Sequence, residues 1–164
     1  MTLARRIGAG LATWPNRRGW MRALALAALG LPLALGIAWV VGLVGWRPVP
    51  PGTALPVAAT LLLFPALGEE LLFRAALLPR PGEPTTPFDR IWPVAALVLW
   101  HPLQARTFGP PWAGMFIQPG FLATVAVLGA LLAAVYRTTG SVWPCVVVHW
   151  LAVAAWKLLF DGPF

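Results

Sequence analysis

The stretch FPALGEELLFRAALLPR, residues 64–80, places Glu69, Glu70 and Arg74 inside a run of Leu, Phe and Ala. Ionisable side chains are costly in an apolar helix, and within a membrane they usually mark a functional site. Residues four apart share a helical face, whereas neighbours are turned by about 100°. The pattern therefore predicts a Glu70–Arg74 ion pair and leaves Glu69 without a cation. The alternative is that both acids only fix helix packing.

The composition indicates a chain whose solvent is mostly lipid. Hydrophobic residues make up 59% of the chain and charged residues 10%, against about 25% charged residues in a typical soluble domain. The net charge is +7, but the basic residues stand at the edges of apolar runs. They therefore indicate membrane topology, and no nucleic-acid partner is expected. The single cysteine, Cys145, excludes an intramolecular disulfide and is expected to be a small buried residue.

The apolar runs predict an all-α fold, a polytopic membrane helix bundle of about five transmembrane helices. Residues 1–22 form a basic segment, residues 23–46 a first membrane helix, and residues 54–160 the remaining bundle. At about 1.5 Å per residue the first run is long enough to span a bilayer, and it is longer than a signal-peptide core. Residues 91–105 form an apolar run that is short for a span.

The arginines predict the orientation of the bundle. Segments on the N-terminal side of the membrane would carry most of the cations, and those on the other side only three. Cytoplasmic loops are enriched in Lys and Arg, so the N-terminus is expected in the cytoplasm. Helical spans favour the bacterial inner membrane, with the lipid bilayer as a partner of the protein.

The only two histidines, His101 and His149, both lie in apolar segments. Glu69, His101 and His149 stand eleven, eleven and twelve residues from arginines that mark the cytoplasmic edge of their helices. Equal spacing implies nearly equal depth in the bilayer, so the three groups are expected to form one site. A lone histidine on an apolar face is more often a core residue, but two of two at this depth favour a site. Pro102 is expected to interrupt the helix at His101 and to admit water or substrate.

One glutamate and two histidines in a wet intramembrane cavity suit hydrolysis. The glutamate can take a proton from water, one histidine can orient that water, and the other can donate to an oxyanion. No cofactor is favoured. Zinc stays open, because Glu69, His101 and His149 would form a His₂Glu ligand set, although without the compact HExxH spacing.

Three sequence elements resemble those of a known family. EELLFR, residues 69–74, is an EExxxR element; His101 ends an element similar to FxxxH; and His149 opens one similar to HxxxN/D. Together and in this order they resemble the CPBP family of intramembrane proteases, the CAAX-protease and bacteriocin-processing family. The resemblance covers about residues 54–159 and is closest to compact bacterial members.

The resemblance implies a bundle of helices around an intramembrane catalytic cavity. It implies an endopeptidase that cleaves near the C-terminus or membrane segment of a membrane-anchored protein or peptide. Glu69 would be the catalytic glutamate, assisted by Glu70 and Arg74. His101 would help to activate water, and His149 would stabilise the oxyanion. Members are described both as glutamic proteases and as metalloproteases, and the glutamic mechanism is favoured here.

Two positions depart from the family pattern. Leu97 occupies the aromatic position of FxxxH, with Trp100 nearby, and Val153 stands where Asn or Asp is usual. An oxyanion donor is therefore missing from that helical turn. Gln104 is the closest amide that can replace it, and Gln104 and Trp100 are candidates for substrate or oxyanion support.

Two other functions remain open. A non-catalytic membrane protein of the same fold, such as a bacteriocin self-immunity or scaffold protein, is favoured by Val153. A proton-coupled transporter could also use a Glu–His relay, but the small size and the lack of an inverted repeat in the sequence disfavour it.

Overall fold

The chain folds into six helices, seen in a computed structural model that describes residues 2–163. Within this range no β-strand forms beyond one isolated bridge. The all-α fold class is therefore confirmed. The helices are α1 (Leu3–Ala12), α2 (Arg17–Val40), α3 (Pro51–Ala76), α4 (Pro87–Thr107), α5 (Pro119–Thr139) and α6 (Val142–Leu159), with a 3₁₀ turn at Ala113–Ile117.

Four helices are long and apolar enough to cross a membrane, namely α2, α3, α5 and α6. The chain is therefore a multi-pass membrane protein. About five spans were expected. The fifth helix, α4, has 21 residues, but Asp89, Arg90 and Arg106 lie near its ends and make it more polar. It nevertheless belongs to the bundle, because it packs along α5.

The N-terminal helices differ in extent from the predicted segments 1–22 and 23–46. Asn16 accepts a hydrogen bond from the Gly19 amide at 2.9 Å and caps α2, so this helix begins within the basic segment. It ends before Gly42, whose φ of 71° suits the left-handed region. Beyond it the chain runs beside the end of α6, where the Arg47 amide donates to the Leu159 carbonyl at 2.9 Å.

Helix α3 is irregular on both sides of its acidic pair. Its backbone leaves helical geometry at Phe64, with φ −133° and ψ 118°, next to Pro65. Wide π-type turns occupy Leu62–Leu67 and Leu71–Ala76, and Gly68–Glu70 lies between them. Such turns re-aim side chains and are frequent at functional sites. Here they flank the segment that carries both glutamates.

Helix α4 is continuous through His101 and Pro102 to Thr107. The prediction that Pro102 interrupts the helix is therefore wrong. Proline removes only one backbone donor, and in an apolar medium the other backbone groups are best satisfied inside a helix. The helix begins with a capping box in which the Thr86 amide donates to Asp89 at 2.8 Å, while the Asp89 amide donates to the Thr86 hydroxyl at 3.2 Å.

Two groups of buried side chains hold the helices together. The larger joins α2, α3, α5 and α6 and includes Ala23, Ala75, Leu132 and Cys145. Cys145 is fully buried, as expected. The smaller joins α3, α4, α5 and the 3₁₀ turn, and its members are Phe73, Leu97, Ala113, Phe116, Phe121 and Val125. Most of the second group also lines the cavity described below.

Candidate active site

A charged cluster is buried where α3, α5 and α6 meet. Glu70 is fully buried, and its Oε1 lies 2.8 Å from His149 Nδ1. Its Oε2 lies 3.1 Å from Arg74 Nε, which is the predicted ion pair between residues four apart. Arg74 Nη2 in turn donates to the Gly129 carbonyl at 3.2 Å. The cluster therefore links three helices through one carboxylate and one guanidinium.

Gly129 lets α5 approach α3 and α4 closely at this point. A Cβ at this position would lie 3.1 Å from Leu97 Cδ2, 3.2 Å from Val94 Cγ1 and 3.9 Å from Arg74 Nη2. Any side chain here would therefore press against α4, and one larger than alanine would also meet the guanidinium. The missing side chain also leaves the Gly129 carbonyl accessible to Arg74.

A mainly apolar cavity of about 900 Å³ lies beside the cluster. It brings together the five residues that the sequence predicted for direct chemistry or support, namely Glu69, Trp100, His101, Gln104 and His149. Glu70 and Arg74 are buried behind the cavity wall and do not line it. The adjacent glutamates are thus separated into one that faces the cavity and one that holds the helices.

Glu69 is partly exposed, in contrast to Glu70. Its carboxylate is within electrostatic range of His149, Arg74 and Glu70, and close to the indole of Trp100. Trp100 Nε1 is buried and has no aligned hydrogen-bond acceptor within the described residues 2–163. Because an indole N–H can only donate, it is available either to Glu69 or to an oxygen of a bound substrate.

His101 is held rigidly in the cavity wall. Its Nδ1 lies 2.9 Å from the Leu97 carbonyl, and a carbonyl can only accept, so Nδ1 carries the proton. Its ring packs edge-on against both Phe116 and Phe121, each with its centroid 5.3 Å away. In the neutral ring Nε2 is therefore the basic nitrogen.

His149 is oriented in the same manner by a stronger acceptor. Its Nδ1 donates to the Glu70 carboxylate, so Nε2 remains for the cavity. In the neutral ring this Nε2 can only accept a hydrogen bond. It becomes a donor only when the ring is an imidazolium.

The positions of the donor side chains decide whether this cavity could hold a metal ion. Over residues 2–163 no three side chains of His, Cys, Asp or Glu come close enough to hold one ion. Glu69, His101 and His149 share a cavity but do not form a converging ligand set. The three side chains therefore do not converge on one point in this structure, and zinc binding by this set is tested by the chelator experiment below.

The sequence reasoning missed Lys157, which also lines the cavity. From the sequence it is only one of the three cations expected on the side of the membrane opposite the N-terminus. The missed signal is that Lys157 is the only lysine of the chain and lies in an apolar segment. Val153 also lines the cavity, so the apolar residue at the usual Asn or Asp position faces the site.

Fold and site together define a polytopic helical membrane protein whose carboxylate–histidine cluster borders an apolar cavity. Residues 51–155 match the family described as type II CAAX prenyl endopeptidase, Rce1-like. The match spans more than half of the chain, which therefore belongs to this family. The family implies CAAX endopeptidase activity within the membrane. No curated protein and no solved structure matches the chain.

Proposed function

We propose that the protein is an intramembrane endopeptidase that hydrolyses a peptide bond near the C-terminus or membrane segment of a membrane-anchored protein. The observation that carries this proposal is the shared cavity of Glu69, His101 and His149. A free carboxylate and two oriented imidazoles around one cavity are the groups that peptide hydrolysis needs.

Water is activated by Glu69 and His101 in this proposal. The water oxygen attacks the carbon of the scissile carbonyl, and Glu69 accepts one proton from this water at the same time. His101 orients the same water through Nε2, because its Nδ1 is occupied by the Leu97 carbonyl. Glu69 then returns the proton to the leaving amine, so the peptide C–N bond breaks and the site regains its starting protonation.

His149 stabilises the oxyanion as an imidazolium, with Nε2 as the donor. Glu70 supports this role through its hydrogen bond to Nδ1. Two carboxylates, Arg74 and the imidazolium then sum to zero charge, which limits the cost of burying them. Val153 offers no amide, so Gln104 and Trp100 are the candidates for a second donor.

No cofactor takes part in this mechanism. The substrate is a membrane-anchored protein or peptide, and nucleic acid is not a partner. The N-terminus is placed in the cytoplasm and the bundle in the bacterial inner membrane. Support for the orientation comes from the excess of arginine on the N-terminal side.

The test uses the purified protein in lipid nanodiscs with membrane proteins from the source cell. New C-termini are identified by mass spectrometry for wild type, Glu69→Gln and Glu83→Gln. Glu83 lies outside the cavity and pairs with Arg6 at 3.0 Å, so it is the matched control. Cleavage by wild type and Glu83→Gln, but not by Glu69→Gln, is expected.

Two further measurements in the same assay test the role of Gln104 and the absence of a metal from the mechanism. Gln104→Ala is expected to lower kcat by about 100-fold, the usual loss for one oxyanion donor. An unchanged rate would remove Gln104 from the mechanism. A chelator is expected to leave cleavage unchanged, and zinc-restorable loss would replace the glutamic mechanism with a metal-dependent one.

A second candidate function is a non-catalytic protein of the same fold, such as a self-immunity or scaffold protein. Val153 on the cavity wall favours it, because an apolar side chain cannot stabilise an oxyanion. Failure of a folded wild-type protein to cleave any candidate would support it.

A further inference from the structure

Lys157 stands in an unusual place for a lysine near the end of a membrane helix. Such lysines usually extend their ammonium toward the interface. Lys157 is instead 8% exposed, and its Nζ lies 4.0 Å from the centroid of the Trp112 ring. It lines the same cavity as Glu69 and His149. A cation is therefore part of the wall of an otherwise mainly apolar chamber.

The chain itself shows what Lys157 can bind. The Gly162 amide donates to the Trp156 carbonyl at 2.9 Å and turns the chain back on the end of α6. This turn brings the Pro163 carbonyl to Lys157 Nζ, which donates to it. Lys157 thus already holds a main-chain oxygen of a peptide segment. A carboxylate is a stronger acceptor for an ammonium than a neutral carbonyl.

The distance between Lys157 and His149 matches the length of a short extended peptide. His149 and Lys157 lie eight residues apart on α6, a regular helix. That separation is about 12 Å along the axis, and an extended peptide that covers about 3.3 Å per residue would fill it with about four residues. The wall between them is mainly apolar and includes Val153 and Trp156.

We propose that Lys157 binds the free α-carboxylate at the substrate's C-terminus and so sets the distance from that end to the scissile bond. This inference rests on the proposed function and deepens it. The substrate class is a membrane-anchored chain with a short apolar tail and a free carboxyl end. The substrate exchanges with the Pro163 segment at Lys157, and its carbonyl about four residues from the end then lies beside His149.

The first measurement is binding, which does not depend on cleavage. The probes are two labelled peptides with twenty Leu and Ala residues followed by five apolar residues. One ends in a carboxylate and the other in a carboxamide. In nanodiscs containing Glu69→Gln protein, we expect the carboxylate probe to bind about tenfold more tightly, the scale of one charge-assisted hydrogen bond.

Variants of Lys157 in the same Glu69→Gln background test whether Lys157 causes the preference for the carboxylate probe. Lys157→Met should bind both probes equally, whereas Lys157→Arg should retain the preference and show that the fold tolerates substitution. Equal binding of both probes to the protein that has Lys157 would overturn the proposal.

The second measurement is cleavage by protein with an intact Glu69. The carboxylate probe should be cut about four residues from its end, and the carboxamide probe should show a raised KM with a smaller change in kcat. Cleavage of both probes with equal KM would overturn the role of Lys157 while the protease remained. A third outcome is a binding preference for the carboxylate probe that depends on Lys157, together with no cleavage of any substrate. This outcome would support the carboxylate site and overturn the proposed protease function.

Discussion

Glu70 links the imidazole of His149 to the buried guanidinium of Arg74. One of its oxygens orients His149 at 2.8 Å, and the other lies 3.1 Å from Arg74 Nε. Arg74 is 2% exposed, and its Nη1 has no hydrogen-bond partner among residues 2–163. Loss of the carboxylate would leave this guanidinium buried without its counter-ion.

Glu70→Gln is therefore expected to lower both stability and activity. Breaking a buried ion pair from one side costs about 3–5 kcal/mol, because the remaining charge is uncompensated. Thermal unfolding in nanodiscs and the cleavage assay measure the two effects. The double variant Glu70→Gln/Arg74→Met should regain stability but not activity, since His149 still lacks its carboxylate. A double variant with wild-type activity would show that His149 does not need Glu70.

At the residue level the sequence predicts local geometry well and tertiary pairing poorly. The Glu70–Arg74 pair follows from a spacing of four, and the shared cavity agrees with the equal depths of Glu69, His101 and His149. The hydrogen bond between Glu70 and His149 joins residues 79 apart. The local sequence does not show which of the two glutamates bonds to His149, because this depends on how α6 packs on α3.

Among the elements, α5 approaches α4 closely beside the candidate site, because Gly129 carries no side chain. Gly129→Val is expected to push against Leu97 and Arg74 and to lower both thermal stability and cleavage. The matched control is Gly36→Val on α2, where an added Cβ has no neighbour within 4 Å. Both changes replace a helical glycine, so helix propensity cancels in the comparison. Equal unfolding temperatures for the two variants would contradict the close approach of α5.

Element boundaries show where sequence reasoning stops. The sequence predicts spans at about residues 121–136 and 142–159, and α5 and α6 lie within three residues of these bounds because turn residues flank both runs. The break expected at Pro102 is absent, since an apolar medium favours a continuous helix. Conversely, the wide turns of α3 around Gly68–Glu70 had no clear sequence signal. Their geometry depends on packing against α6 and on the backbone kink at Phe64.

On the scale of the whole molecule, the arginine-rich segments meet on one side of the bundle. Arg6 of α1 pairs with Glu83 in the α3–α4 connection at 3.0 Å. Arg80 of the same connection donates to Thr13 at 3.1 Å, next to the start of α2. The N-terminus and this connection therefore lie on the same side, as two membrane crossings between them require. This agreement supports the alternation of the spans across the membrane.

The positive-inside rule predicts that the arginine-rich side of the bundle faces the cytoplasm, and labelling of single cysteines tests this orientation. Cys145 is the only native cysteine, so Cys145→Ala provides a clean background. Pro84→Cys reports the arginine-rich side, and Gly114→Cys, where an added Cβ meets no neighbour within 4 Å, reports the other. In intact spheroplasts a membrane-impermeant maleimide is expected to label Gly114→Cys and to label Pro84→Cys only after permeabilisation. The reverse pattern would contradict this orientation and place the arginines outside the cell. The carboxyl end of a substrate would then have to reach Lys157 from the cytoplasmic side.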